Sequence, residues 1–288
     1  MGSIVGGQTS VKFPEIQAFE KHLPDDVSIV TIHSMHGPGV DPRGQPVVVI
    51  GHRCIKKGNV ELKGKNTQEV ELVAGLLEKV LQGDVVHLNG IEEHDQITAD
   101  TQAVTHLAFV SMGAAWKSAL FYPWENSTYV GGIDNVKVLI TLRIFNAMPH
   151  IYAGLAMLNP HATKQIWQYS QSVSAIFKLM IQEKDQEFKQ RITQAGHFVF
   201  GNRSNKEILL PDELLEEFGL GAIPAKDRKP NSHLSLLAMV DCWYQLKINP
   251  YDHMICQTPP FRLWLGIAEY LFKSEEVFYL IFFFLNNN

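Results

Sequence analysis

The chain changes character near residue 90, and that change limits its architecture more than any other feature. Before it, short apolar runs alternate with one amphipathic segment. Val27 to His33 reads as a strand, Pro46 to His52 carries the β-branched run Val47-Val48-Val49-Ile50, and Asp84 to Leu88 is a third short strand. Thr67 to Leu81 spaces Val70, Leu72, Val73, Leu76, Leu77, Val80 and Leu81 at helical intervals, and Gly83 supplies a stop. Strands alternating with a helix predict part of an α/β sheet over residues 1–90. After residue 90 the period is helical. Glu92 to Lys117 reads as one helix, acidic in its first turn and apolar on most sides, hence buried in a bundle. Val136 to Phe145, Pro149 to Leu158, Ala162 to Glu183, Pro211 to Phe218 and Ser232 to Gln245 continue the pattern, while 202–206 and 219–231 read as loops. Pro149 suits a first turn and Asn159-Pro160 a stop. The expected fold is an α/β segment followed by an all-helical domain over residues 91–288.

Composition narrows the function classes. A hydrophobic content of 45% and a charged content of 19% provide a substantial core. Net charge is −5 and the Lys and Arg residues are scattered, which argues against nucleic acid and against an anionic membrane surface. Cys54, Cys242 and Cys256 have neither metal nor redox spacing, so unpaired thiols in a reducing, cytoplasmic compartment are expected. No signal peptide is recognised at the start. Val277 to Leu285 is apolar throughout, yet a bilayer span needs about 20 residues. That run reads as a buried strand-like segment, an aggregation-prone end or a sequence artefact, and both chain ends read as fragment boundaries.

His33 stands at the carboxyl end of the first strand, just before Gly37-Pro38, where α/β folds expose reactive groups. Imidazole suits proton transfer near neutral pH, though strand-end histidines also serve as ordinary hydrogen-bonding residues. His36 follows at three residues, but no third ligand has motif spacing, so no metal is expected. Trp116, Trp124 and Trp167 read as core rather than base-stacking platforms. Neither Gly-x-Gly-x-x-Gly nor a phosphate loop occurs in the chain.

Four motifs appear in order: Gly7-Gln8-Thr9-Ser10-Val11-Lys12, His33-Ser34-Met35-His36-Gly37-Pro38, Glu93-His94-Asp95-Gln96, and His106 twelve residues after His94. In this order and spacing they resemble prephenate dehydrogenase, and the first two look most like the fungal versions. The resemblance implies that residues 1–90 are the closing part of a Rossmann-like dinucleotide-binding domain, whose glycine fingerprint precedes Met1. It implies that residues 91–288 are a helical domain that binds substrate and forms a homodimer. It further implies oxidative decarboxylation of prephenate to 4-hydroxyphenylpyruvate in tyrosine biosynthesis, with NADP, or alternatively NAD, as hydride acceptor. A chain without the fingerprint is expected to have little dehydrogenase activity alone.

By the same resemblance His33 is the base or hydrogen-bond acceptor for the substrate hydroxyl, and Ser10 holds the imidazole and cofactor in register. Gly37 is a second cofactor contact. Lys12 either acts electrostatically on substrate or cofactor or is a solvated charge. His94 either lines the substrate site or makes a helix-start hydrogen bond. His106 lines the substrate pocket or is a satisfied core histidine. On one straight α-helix His94 and His106 would differ by about 120° in direction and ~18 Å in height. Many family members carry a carboxylate-binding arginine six residues before the proline of the helix stop; here that position is Gly154. His150, one turn earlier, and Arg143 are the candidate replacements. That departure leaves arogenate as an alternative substrate. Two other classes compete: a non-catalytic helical dimerisation module with a remnant pocket, and a metal-dependent hydrolase using His33, His36 and His94.

Overall fold

A β-branched strand flanked by residues of opposite character on its two faces organises the first part of the chain. In the computed structural model this is β2 (Ser28–Ser34). The structure describes residues 2–36, 41–56, 60–62, 67–120, 122, 125, 141, 149–201, 234–254, 258, 261, 262, 265, 266, 268, 269 and 272. The chain forms two compact units, the first from residues 1–101, 155–163 and 251–261, the second from 102–154, 164–250 and 262–288.

The first unit is a mixed sheet with helices on both faces. Strand β1 (Ile4–Val5) lies parallel to β2, and β3 (Pro46–Lys56) lies antiparallel to it. Strand β4 (Val60–Leu62) pairs with the far end of β3, and β5 (Asp84–His87) runs parallel to its near end. The three expected strands are present, with β3 extending beyond His52. A strand too short for periodicity to reveal, β1, and a helix, α1 (Lys12–His22), are added. Pro14 is tolerated in the first turn of α1 because that position lacks an intrahelical acceptor.

Register decides which face each side chain meets. His33 lies opposite Val48, and Val48 opposite Val86; Ile32 lies opposite Val49. Directly opposed residues share a face and neighbours along a strand alternate. Val30, Ile32, Val47, Val49 and Val85 therefore pack with Val70, Val73, Leu77 and Leu81 of helix α2 (Gln68–Leu81). Thr31 and His33 take the opposite face, where Thr31 meets Lys12 and Glu15 of α1. A one-residue slip would exchange His33 for Ile32. Thr67 caps α2, its hydroxyl accepting from the Val70 amide at 3.3 Å. Only part of the α2 periodicity faces the core, since Leu72, Leu76 and Val80 are exposed. The left-handed residue ending α2 is Gln82 rather than Gly83. Gly83 is required instead by close approach, because a Cβ there would lie 2.9 Å from Val47 Cγ2.

The run expected as one helix from Glu92 is three stretches: α3 (Ile91–Thr98), a π-helix over Ala99–Ala103, and α4 (Val104–Ala119). The hydroxyls of Thr98 and Thr101 donate to the carbonyls of Asp95 and Ile97 at 3.1 and 2.9 Å, competing with the regular ladder. The straight-helix separation of His94 and His106 therefore does not apply. Helix α5 (Pro149–Leu158) matches its expected bounds, and α6 (Ala162–Ile181) and α8 (Leu234–Leu246) nearly so. Helix α7 (Asp185–Phe200) lies outside the helices expected from the sequence pattern. The second unit buries Phe109, Ile176, Phe188, Ile192, Leu236, Leu237 and Trp243, and Arg191 clamps the buried Asp241 bidentately at 2.9 and 2.7 Å. Trp167, expected in the core, is 67% exposed. Trp124 and the expected elements at 211–218 and 277–285 lie outside the described residues, as does 136–145 apart from Thr141. No described helix is long and apolar enough to cross a membrane.

Candidate active site

The carboxyl end of β2 brings His33 against the start of α3. His33 Nδ1 lies 2.8 Å from His94 Nε2, with ring centroids 5.0 Å apart. His94 Nδ1 lies 2.8 Å from Asp95 Oδ1. His33, His94 and Asp95 are 5%, 1% and 1% exposed, so the chain of groups is almost dry. Among the described residues His33 Nε2 has no hydrogen-bond partner.

Asp95 does a second job. Its Oδ1 accepts from the Lys12 amide and its Oδ2 from the Phe13 amide, both at 2.8 Å. Val11, which precedes α1, supplies no capping side chain, so α1 is capped from another element. A carboxylate there satisfies two orphan N–H groups and complements the helix dipole. Asn159, read from sequence only as a helix stop, donates to the Asp95 carbonyl at 2.7 Å and to Thr98 Oγ1 at 3.1 Å. Sequence reasoning missed Asp95 and Asn159 as site residues. The signal for Asp95 was its place in the Glu93-His94-Asp95-Gln96 motif.

Burial, then the neighbouring His94 and the Lys12 charge, hold the His33 pKa well below its ordinary value. A neutral imidazole at neutral pH is a proton acceptor. Two ring nitrogens 2.8 Å apart share one proton directly. As joint ligands of a tetrahedral zinc they would stand about 3.3 Å apart, so this geometry does not support the hydrolase reading.

Lys12 is wholly buried, which excludes the solvated-charge reading. Its ammonium donates to Ile32 O at 2.6 Å, Thr31 Oγ1 at 2.9 Å and Glu15 Oε1 at 3.3 Å, using all three N–H groups inside the protein. Burial lowers its pKa, against the opposing pull of Glu15. Burial also opposes ionisation of Glu15, but hydrogen bonds from Thr31 and Thr9 and the Lys12 charge together outweigh it, and its pKa lies below the usual value. Gly7 makes room for this cluster, since a Cβ there would lie 2.2 Å from Glu15 Oε2.

The other expected site residues are placed as follows. Ser10 is half-buried in the turn between β1 and α1, and no bond joins it to His33. His106 lies half-buried on α4 in the second unit, where burial lowers its pKa to about 4. His150 belongs to α5, but its side chain is outside the described residues, as are Gly37 and Arg143 entirely. A Cβ added at Gly154 would meet open space. Among the described residues no cluster of three or more His, Cys, Asp or Glu could hold a metal.

Residues 103–281 match the domain family described as TYR1-like, 6-phosphogluconate dehydrogenase C-terminal domain. A probable NADP-type prephenate dehydrogenase of Schizosaccharomyces pombe is 50% identical over 276 residues, covering 95% of this chain and 61% of its own. The NADP-type prephenate dehydrogenase of Saccharomyces cerevisiae is 50% identical over 280 residues, covering 94% and 59%. A probable arogenate/prephenate dehydrogenase of Methanocaldococcus jannaschii is 26% identical over 212 residues, covering 74% and 45%. The chain thus spans about three fifths of the length of the two fungal relatives.

Proposed function

The chain belongs to the TYR1-like, 6-phosphogluconate dehydrogenase C-terminal domain family, and from that premise we propose that it carries the proton-accepting and substrate-binding part of a prephenate dehydrogenase. The reaction is the oxidative decarboxylation of prephenate to 4-hydroxyphenylpyruvate in tyrosine biosynthesis, with NADP as hydride acceptor. The observation that carries this reading is the buried Asp95–His94–His33 chain, which ends in an imidazole held neutral at a strand end. The names of the two fungal relatives support the substrate and cofactor.

The chemistry asks for one acceptor beside the ring hydroxyl. As the hydroxyl-bearing carbon gives up hydride, its O–H proton moves toward His33 Nε2. Loss of the ring carboxylate as carbon dioxide makes the ring aromatic, and the proton returns to the phenol oxygen. No net proton is released. Such an acceptor contributes ~10²–10⁴ in rate. In this proposal His33 and Ser10 act on the hydroxyl, and His106, Arg143 and His150 belong to the substrate-binding set. Lys12 is left out of that set because its three N–H groups are spent on Glu15, Thr31 and Ile32.

NADP would supply the hydride-accepting nicotinamide. The described residues do not fit its diphosphate. The helix that follows the Gly6-Gly7 turn gives its first two amides to Asp95, which occupies the place an anion would take. Ser10 and Gly37 remain proposed contacts to the nicotinamide end. A homodimer through the helical domain and a cytoplasmic location complete the reading.

The test is a chimera in which this chain replaces the stretch it matches in the Saccharomyces cerevisiae relative. Prephenate-dependent NADPH formation, lost by ~10²-fold or more in His33→Asn, is the expected result. A folded chimera that leaves prephenate untouched refutes the proposal. Arogenate is the second reading, favoured by the Methanocaldococcus jannaschii relative's name and by Gly154, and the same assay with arogenate decides between them.

A further inference from the structure

We propose that Asp95 and His94 act as a tautomer lock on His33, making His94 a positioning residue rather than a substrate ligand. Asp95 accepts hydrogen bonds from the Lys12 and Phe13 amides and has no proton to give in its ionised form. The 2.8 Å contact between Asp95 Oδ1 and His94 therefore requires the proton on His94 Nδ1. A neutral His94 then presents a lone pair at Nε2. The 2.8 Å contact between His94 Nε2 and His33 Nδ1 requires one proton, which must sit on His33 Nδ1. His33 Nε2 is left as a bare lone pair, and it is the ring nitrogen with no partner among the described residues.

The competing arrangement is a doubly protonated His94 donating to both neighbours. It would bury an imidazolium that is 1% exposed, beside a carboxylate whose charge already serves two helix N–H groups. It would also turn His33 into the Nε2–H form, which donates where the reaction needs an acceptor. The charged groups facing the pair are Asp95 on α3 and the mutually neutralising Lys12 and Glu15 on α1. The Lys12 charge disfavours a further positive charge on His33, in keeping with a neutral pair.

The lock is rigid by construction. Asp95 is fixed at its carboxylate by the start of α1 and at its carbonyl by Asn159. His94 cannot turn without breaking a bond at each nitrogen. When His33 accepts a proton at Nε2, its Nδ1 proton stays hydrogen-bonded to His94 Nε2, so the ring keeps its orientation through the transfer. No atom is gained or lost; the proton arrives from the substrate hydroxyl and returns to that oxygen.

The catalytic use of the lock rests on the dehydrogenase reading, but the tautomer itself does not. It is measured by long-range nitrogen–proton NMR on the 288-residue chain labelled with ¹⁵N-histidine, near pH 7.5. The expected spectrum shows both His33 and His94 protonated at Nδ1 and bare at Nε2, with no averaging. His33 protonated at Nε2, or His94 protonated at both nitrogens, overturns the proposal without need of any variant. In His94→Phe, His33 is expected to relax toward the Nε2–H form that free imidazoles favour. In the chimera, His94→Gln should lower kcat about tenfold or more while KM moves less than about threefold. A changed KM with unchanged kcat would make His94 a substrate ligand and refute the lock. If the unmutated chimera ignores both prephenate and arogenate, the dehydrogenase reading fails, while the tautomer assignment stands or falls on the NMR alone.

Discussion

Replacing Lys12 by methionine tests the buried cluster beneath the site. The side chains of Lys12 and Glu15 are 0% and 4% exposed, and their charged atoms lie 3.3 Å apart. Methionine fills the volume but withdraws three N–H donors. The Ile32 carbonyl, which accepted from the ammonium at 2.6 Å, loses a partner, at a cost of about 1–3 kcal/mol. The Glu15 carboxylate loses its counter-charge, and breaking a buried pair from one side costs about 3–5 kcal/mol. Glu15 keeps hydrogen bonds from the Thr9 amide and hydroxyl and from Thr31, which softens the second loss. A net destabilisation of about 3–4 kcal/mol follows. The double variant Lys12→Met with Glu15→Gln should recover about 2 kcal/mol, because the orphaned charge is gone.

All five tryptophans belong to the second unit, so fluorescence would follow the wrong part of the chain. Amide exchange of β2 and α1 in urea is the appropriate readout. The pH dependence adds a sign. In the native chain the Glu15 pKa lies below its unfolded value of 4.5, so its contribution is present above that pH and fades as pH falls through the folded value. Without Lys12 that pKa moves upward, so the deficit should shrink as the pH is lowered toward and below 4.5. A cost below about 1 kcal/mol that is flat with pH would mean that Lys12 is not a buried counter-ion to Glu15.

Three further outcomes are expected. The His106 pKa of about 4, against 6.5 when unfolded, makes the second unit lose up to about 3 kcal/mol as pH falls from 6.5 to 4, and none above; thermal melts of His106→Leu should show a shallower acid limb, and an unchanged limb would contradict the burial argument. Arg191→Met should cost about 3 kcal/mol by stranding the fully buried Asp241, with Arg191→Lys restoring only part, as measured by urea unfolding followed by tryptophan fluorescence. Gly154→Ala should stabilise α5 by about 0.5–1 kcal/mol, since the added Cβ meets open space; a lowered melting temperature would show the glycine to be sterically required.

Neighbouring residues alone determined much of this protein. β-Branched runs, a 3.6-residue period and turn chemistry located β2, β3, β5, α2 and α5, and placed His33 at a strand end. The order of the four motifs led to the family before any contact was known. Helix α1 escaped because it is mostly polar and begins with a lysine and a proline, so its burial cannot be read from its own periodicity. Tertiary structure decided the rest. The bond between His33 and His94 joins residues 61 apart, and that between Lys12 and Asp95 joins residues 83 apart. Such bonds depend on sheet register and on which helix end meets which strand end, and no local pattern carries either. Which nitrogen of His33 bears its proton is decided at the same level, by a carboxylate one ring away that a neighbouring helix holds in place.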